Sequence, residues 1–155
     1  AGAGRRGESR LMEEDDPSAA LASLQGVQFR CENYVETQGK NCSVDVVMCL
    51  SVTKWVHLHH GDEGMRALFA KFYRQLTPGG RLILEPQPWK SYRSAIRKQD
   101  MSAAANADLN KINFPPSHFV SYLQSQHGFT MEAKLQVKSS AQGFDRPIYV
   151  LRKTR

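Results

Sequence analysis

The strongest constraint on the fold lies in the middle of the chain. The stretch "SVDVVMCLSV", residues 43–52, is a continuous apolar run with polar flanks, and "GGRLILEP", residues 79–86, is another. Between them, "GDEGMRALFAKFYRQLTPGG" repeats Met65, Leu68, Phe69, Phe72, Tyr73 and Leu76 at helical spacing until Pro78-Gly79-Gly80 stops it. Strand, helix and strand in that order make a βαβ unit. Strands apolar at consecutive positions are expected to be covered on both faces, as in a parallel sheet. Ahead of this unit, the alternating "GVQFRCENYV", residues 26–35, predicts a further strand. After it, "PPSHFVSYLQSQHG" predicts a helix, and "TMEAKLQVK" and "RPIYVLRK" predict two strands joined by a Gly-containing loop. The fold class is therefore α/β, an open parallel sheet with an antiparallel strand pair at its end.

At 155 residues and 41% hydrophobic content, the chain can build one domain with a real core, and no apolar run is long enough to cross a membrane. Residues 1–24 carry Arg5, Arg6 and Arg10 against Glu8, Glu13, Glu14, Asp15 and Asp16 with no sustained apolar period, which reads as a variable linker or insert ahead of a domain spanning 25–155. That segment is net −2 and the chain is net +6, so the remainder carries +8. A basic domain suits a polyanionic partner such as nucleic acid, although the same charge also serves solubility. Three cysteines, Cys31, Cys42 and Cys49, lack zinc-type pair spacing and fit a reducing compartment. The opening "AGAGRRGESR" resembles neither a secretory signal nor a transit peptide, and the chain reads as a fragment.

In open α/β sheets, ligands bind beyond the carboxyl ends of the strands. The expected ends are Glu32-Asn33-Tyr34, Leu50 to Trp55, and Glu85-Pro86-Gln87-Pro88-Trp89. Lys54 is a compact cation with three donors, suited to anchoring phosphate, or else a solvated lysine at a strand end. Trp55, Trp89 and Tyr92 could stack on RNA bases, with core packing the competing role for Trp55. Lys90, Arg93, Arg97 and Lys98 could meet RNA phosphates or form a solvated helix face. With few large apolar residues nearby, this segment is expected to order only on binding. "HLHHGDEG" offers His57, His59, His60, Asp62 and Glu63, but no i, i+4 histidine pair on a predicted helix, so no metal is expected. Asp62 and Glu63 instead suit the positive end of a helix that follows a substrate-facing strand end.

In their order and spacing, "ENYV", "CLSVTKWVHL..GDEG", "PGGRLILEPQPWKSY", "FVSYL" and "GF.RPIYVL" resemble the bicoid-interacting-protein-three family of S-adenosylmethionine-dependent RNA methyltransferases, from about Val27 to Lys153. The resemblance is greatest to the methylphosphate-capping branch, since a sister branch acting on 5′-monophosphate ends lacks the lysine found here at Lys54. It implies a Rossmann-like methyltransferase fold, S-adenosylmethionine as cofactor, and methylation of the 5′-terminal (gamma) phosphate of a small non-coding RNA of the 7SK type. A nuclear location and RNA-binding protein partners belong to the same expectation. Lys54 and Glu85 become the candidate catalytic residues, with Glu85 holding either a backbone amide or a donor group. Asn33, Tyr34 and Leu50 match cofactor-contacting positions, although Asn33 is equally a turn residue. Arg146 matches a motif near the substrate mouth. The family's glycine-containing motif after its first strand and the acidic residue of its second strand have no counterpart, so the fold is expected to be truncated before its third strand and to bind the cofactor poorly. The alternative is a non-catalytic RNA-binding or scaffold protein.

Overall fold

The computed structural model describes residues 26–98, 109–136 and 146–154, and the chain divides into two units, up to Glu32 and from Asn33 onward. In the first unit, residues 26–32 are irregular and exposed, Phe29 at 95%. The strand expected over 26–35 does not form, and at its far end the chain turns instead. Asn33 accepts hydrogen bonds at its backbone carbonyl from the N–H groups of Glu36 and Thr37, each at 3.1 Å, while its side-chain oxygen accepts from Val35 N–H at 3.2 Å. Such a local side-chain bond competes with a strand ladder for the same backbone donors.

The second unit is a four-stranded sheet in the order β1-β2-β4-β3, formed by β1 (Val44–Leu50), β2 (Leu76–Glu85), β3 (Phe129–Gln136) and β4 (Pro147–Lys153). β1 and β2 are parallel, and β4 runs antiparallel to both β2 and β3. The parallel pair is bridged by helix α1 (Thr53–Gln75), as the βαβ pattern predicts. Helix α2 (Trp89–Lys98) follows β2, and helix α3 (Phe119–His127) precedes β3, entered through a short 3-10 turn at Pro116–His118 and ended by Gly128 with φ 68°.

Helix α1 begins eight residues before the expected start at Gly61. Gly61, with φ 62° and ψ −164°, is a kink joining two helical segments, a conformation that favours glycine. Asp62 and Glu63 open the second segment, at the positive end of its dipole. The helix stops at Gln75, and Thr77-Pro78-Gly79-Gly80 already lies within β2.

One face of the sheet is packed. Cys49, Leu82, Leu84, Leu151 and Phe129 point into a core with Met65, Leu68, Phe69, Phe72, Phe119 and Leu123 from the helices. Buried Lys153 donates to the carbonyls of Tyr73 (2.8 Å) and Leu76 (2.7 Å), fixing β4 to the junction of α1 and β2. The alternate residues Val44, Val46, Met48 and Leu50 of β1, with Met131 and Leu135 of β3, are exposed. The expectation of cover on both faces therefore fails among the described residues, because α1 and α3 pack on the same side, while α2 packs in a separate cluster with α1.

Candidate functional site

The carboxyl ends of β1 and β2 meet at one turn, Ser51 to Lys54. Ser51 has φ 58°, a left-handed conformation uncommon for serine, and four contacts hold it there. Its N–H donates to the Glu85 carbonyl at 3.2 Å, and its hydroxyl donates to Glu85 Oε1 at 2.7 Å and accepts from Arg146 Nη1 at 2.8 Å. Its carbonyl accepts from Gln87 Nε2. Arg146 also pairs with Glu85 Oε1 at 3.1 Å. The Glu85 carboxylate thus takes donor side chains, a hydroxyl and a guanidinium, and its backbone carbonyl takes the amide.

Gln87 is 2% exposed and joins the two strand ends. Its Oε1 accepts from Thr53 Oγ1 at 2.9 Å and from Lys54 N–H at 3.1 Å. The second bond satisfies an N–H of the first turn of α1, one of the donors a helix leaves unpaired at its start. No side chain of α1's own N-cap residue, Val52, does this. The cap therefore comes from another strand end, which is why Lys54 lies in a helix and not at the end of a strand as expected.

Lys54 is 9% exposed. Its Nζ donates to Ser91 Oγ at 3.2 Å and lies 3.9 Å from the centre of the Trp55 ring, so it is sheltered and not a freely solvated lysine. Trp55 and Trp89 are half-buried around Tyr92, Leu58 and Ala95, with Trp89 5.0 Å from Tyr92. Tyr92 is fully buried, which takes its ring out of reach of an RNA base. It and Ala95 anchor α2, so the segment Lys90–Lys98 is already helical and does not need a partner to order it. Lys90, Arg93, Arg97 and Lys98 are all exposed on that helix.

The three histidines separate. His59 and His60 are exposed, whereas His57 is buried, with Nε2 2.9 Å from Asp62 Oδ1 and Nδ1 3.2 Å from Tyr92 Oη. Burial lowers the His57 pKa, opposed by its bond to Asp62. Burial pulls the Asp62 carboxyl upward, but hydrogen bonds from His57 and from the N–H groups of Asn113 and Phe114 outweigh it and hold the carboxyl below its usual range. Among the described residues, no three His, Cys, Asp or Glu side chains gather as a metal site.

The expected cofactor residues do not meet. Leu50 ends β1, paired with Glu85. Tyr34 bonds through its hydroxyl to Gln75, immediately before β2, and its carbonyl accepts from buried Lys71. Asn33 makes the turn beside it. The start of β2 pairs with the start of β1, at Val44 and Leu76, so Asn33 and Tyr34 stand at the amino ends of the strands, about 20 Å from Leu50 at ~3.3 Å per residue. Among the described residues they therefore form no common cradle for S-adenosylmethionine with Leu50. Sequence reasoning gave roles to Lys54, Glu85 and Arg146, placed Ser51, Thr53 and Gln87 in the expected ligand-binding strand ends without a role for each, and did not single out Ser91. A usable signal existed for Gln87: it is a polar residue pinned between Pro86 and Pro88 at a strand end.

Residues 44–153 match the family described as Bicoid-interacting protein 3 (Bin3). The chain is 43% identical over 136 residues to the human 7SK snRNA methylphosphate capping enzyme, an alignment covering 83% of this chain and 19% of that protein. It is 36% identical over 150 residues to the Drosophila melanogaster U6 snRNA methylphosphate capping enzyme Amus, covering 94% and 49%. A shorter match, 46% identical over 54 residues, joins it to a rat RNA 5′-monophosphate methyltransferase, covering 35% and 18%. The chain thus spans less than half the length of these relatives. In fold it is similar to the N-methyltransferase NodS of Bradyrhizobium japonicum, with a TM-score of 0.52 at 14% identity over 78% of this chain and 56% of that one. A SAM-dependent methyltransferase of Methanosarcina mazei gives the same TM-score and identity over 81% and 66%. The expected α/β, Rossmann-like fold is borne out by this likeness, and the chain belongs to the Bin3 family.

Proposed function

We propose that the Ser51–Lys54 turn binds the 5′-phosphate end of a small RNA, of the 7SK or U6 type named for the capping relatives, and that the chain serves methyl transfer to the terminal phosphate with S-adenosylmethionine as donor. One observation carries this reading: two cations, Lys54 and Arg146, are fixed to the same short turn by Gln87, Ser51 and Glu85, at the strand ends where α/β sheets take ligands. A phosphate oxygen is anionic at neutral pH and needs no strong base to act as a nucleophile. The work left to these side chains is to hold it still and exclude water. The methyl donor supplies an electrophilic carbon. Among the described residues, Asn33 and Tyr34 lie at the far end of the sheet from Leu50 and share no cradle for that donor with it.

Lys54→Ala should weaken binding of a 5′-triphosphate oligoribonucleotide by about 1.5–3 kcal/mol, roughly one to two orders of magnitude in Kd, and leave a 5′-hydroxyl oligonucleotide unaffected. Equal losses for the two ends would move Lys54 to a structural role. A 5′-monophosphate probe in the same titration distinguishes the two branches, and weaker binding than the triphosphate supports the capping one. The exposed cations of α2 extend the site along the strand. Replacing Lys90, Arg93, Arg97 and Lys98 with Gln should flatten the salt dependence of binding by about 0.7 for each phosphate no longer neutralised, with Tm unchanged. An unaltered slope would remove α2 from the RNA path.

A further inference from the structure

We infer that Gln87 is a positioning residue for Lys54, and that its neutral amide, which a carboxylate of the same shape cannot replace, sets how the site meets phosphate. The inference rests on the reading of the Ser51–Lys54 turn as the phosphate-binding element. Gln87 lies between Pro86 and Pro88, and a residue ahead of proline is confined to extended backbone, so its side chain has a fixed origin. That side chain is 2% exposed and uses both ends of its carboxamide. Lys54 N–H can only donate and the Ser51 carbonyl can only accept, so one orientation serves both: Oε1 takes Lys54 N–H at 3.1 Å, and Nε2 donates to the Ser51 carbonyl. Thr53 Oγ1 donates to the same Oε1 at 2.9 Å. Turned over, the carboxamide would set oxygen against oxygen and N–H against N–H. Leaving such buried groups unpaired is costly, which locks the side chain and, through it, the first turn of α1.

Helix starts that bind phosphate directly hold it on the open N–H groups of the first turn. Here Gln87 Oε1 already occupies the Lys54 N–H, so Lys54 meets phosphate with its side chain and not its backbone, and Gln87 fixes where that side chain begins. The occupant is also uncharged. A carboxylate in its place would accept from Lys54 N–H and Thr53 equally well, but it would face the Ser51 carbonyl with no hydrogen to give. It would also bring a negative charge to the turn that the phosphates of an RNA must approach. The protonated carboxyl, by contrast, repeats the pattern of the amide, a donor for Ser51 on one side and an acceptor for Lys54 and Thr53 on the other.

The test uses Gln87→Glu in the 155-residue chain, with 5′-triphosphate and 5′-hydroxyl oligoribonucleotides of one sequence as probes. At neutral pH the variant should bind the triphosphate probe about tenfold more weakly than the unsubstituted chain and the hydroxyl probe equally well. Burial and the facing carbonyl should raise the introduced carboxyl above the ordinary glutamate value of about 4.3. As pH falls through that raised midpoint, read by NMR, the ratio of the variant's Kd to that of the unsubstituted chain should return toward one. Taking the ratio at each pH cancels the titration of the phosphate itself. Gln87→Met, which cannot regain the pattern, should stay weak throughout. A ratio near one at neutral pH, an equal loss for both probes, or a loss that acid does not reverse while the variant stays folded would overturn the proposal. If the variants fail to fold, the unsubstituted chain decides: Lys54 N–H should exchange with solvent more slowly than an open first-turn amide, and exchange at the open rate would overturn it. An unsubstituted chain that binds both probes alike would sink the phosphate reading of the turn, while a protected Lys54 N–H would leave Gln87 in its place at the start of α1.

Discussion

The two faces of the sheet are made by alternate residues of the same strands, and they meet opposite surroundings. Cys49, Leu82, Leu84 and Leu151 are at most 4% exposed against the aromatic core of α1 and α3, while Val46, Met48, Met131 and Leu135 on the other side are 44–63% exposed. Both sets are apolar. Strand composition therefore records the cover that a side chain is suited to, and helices or loops must still arrive to supply it. A run apolar at every position, such as "VVMCL", is chemistry for a sheet buried twice. The described residues bury it once.

The sharpest way to break this comparison is to delete matching bulk from each face. Phe69→Ala removes a fully buried ring packed against Phe72, Phe114 and Phe119, and should cost about 3–5 kcal/mol in urea denaturation. A smaller effect separates the faces by pH, because the covered side buries two imidazoles. Burial lowers the pKa of His57 and of His127, whose Nε2 is enclosed with no hydrogen-bond partner among the described residues. The unfolded chain takes up these protons first, so stability should hold above the unfolded histidine value of about 6.5 and decline as pH falls below it. His127→Leu should make that decline shallower. Asp62, held below its usual range, contributes stability that is present above the unfolded carboxyl value and is lost only as pH falls through its lower folded value. Met48→Ala on the open face should change stability least, by no more than about 0.5 kcal/mol. A loss comparable to that of Phe69→Ala would mean that the open face is covered in solution.

The parts of the fold legible in the sequence are those whose signals are local. The period of Met65, Leu68, Phe69 and Phe72 announces the second segment of α1, and the apolar runs announce β1 and β2. The first segment, Thr53–His60, was not legible because its cap is a side chain 33 residues away in sequence, Gln87 bonding Lys54 N–H. Once that segment is helical, Lys54, His57 and Gly61 fall on one stripe, and the burial of His57 beside exposed His59 and His60 has a simple cause. The failed strand over 26–35 shows the converse. Its alternation is real, but Asn33 gives the backbone a nearer partner than a neighbouring strand. At the site, charge and family resemblance pointed to Lys54, Glu85 and Arg146. Ser51 and Thr53 lay inside the expected strand end but received no role, because their importance lies in a backbone angle and in a bond to a side chain 34 residues away.

The strand order also sets a schedule for biosynthesis. β4 lies between β2 and β3, yet it is translated after both, beginning only at Pro147. A nascent chain on the ribosome can therefore dock β1, α1 and β2 early and pack α3 on α1, while β3 emerges without the strand that joins it to that platform. The sheet closes late, by insertion at its centre, and Lys153 seals it against the carbonyls of Tyr73 and Leu76. Pairings this distant along the chain fold slowly, which leaves β2 waiting with an unpaired edge during synthesis.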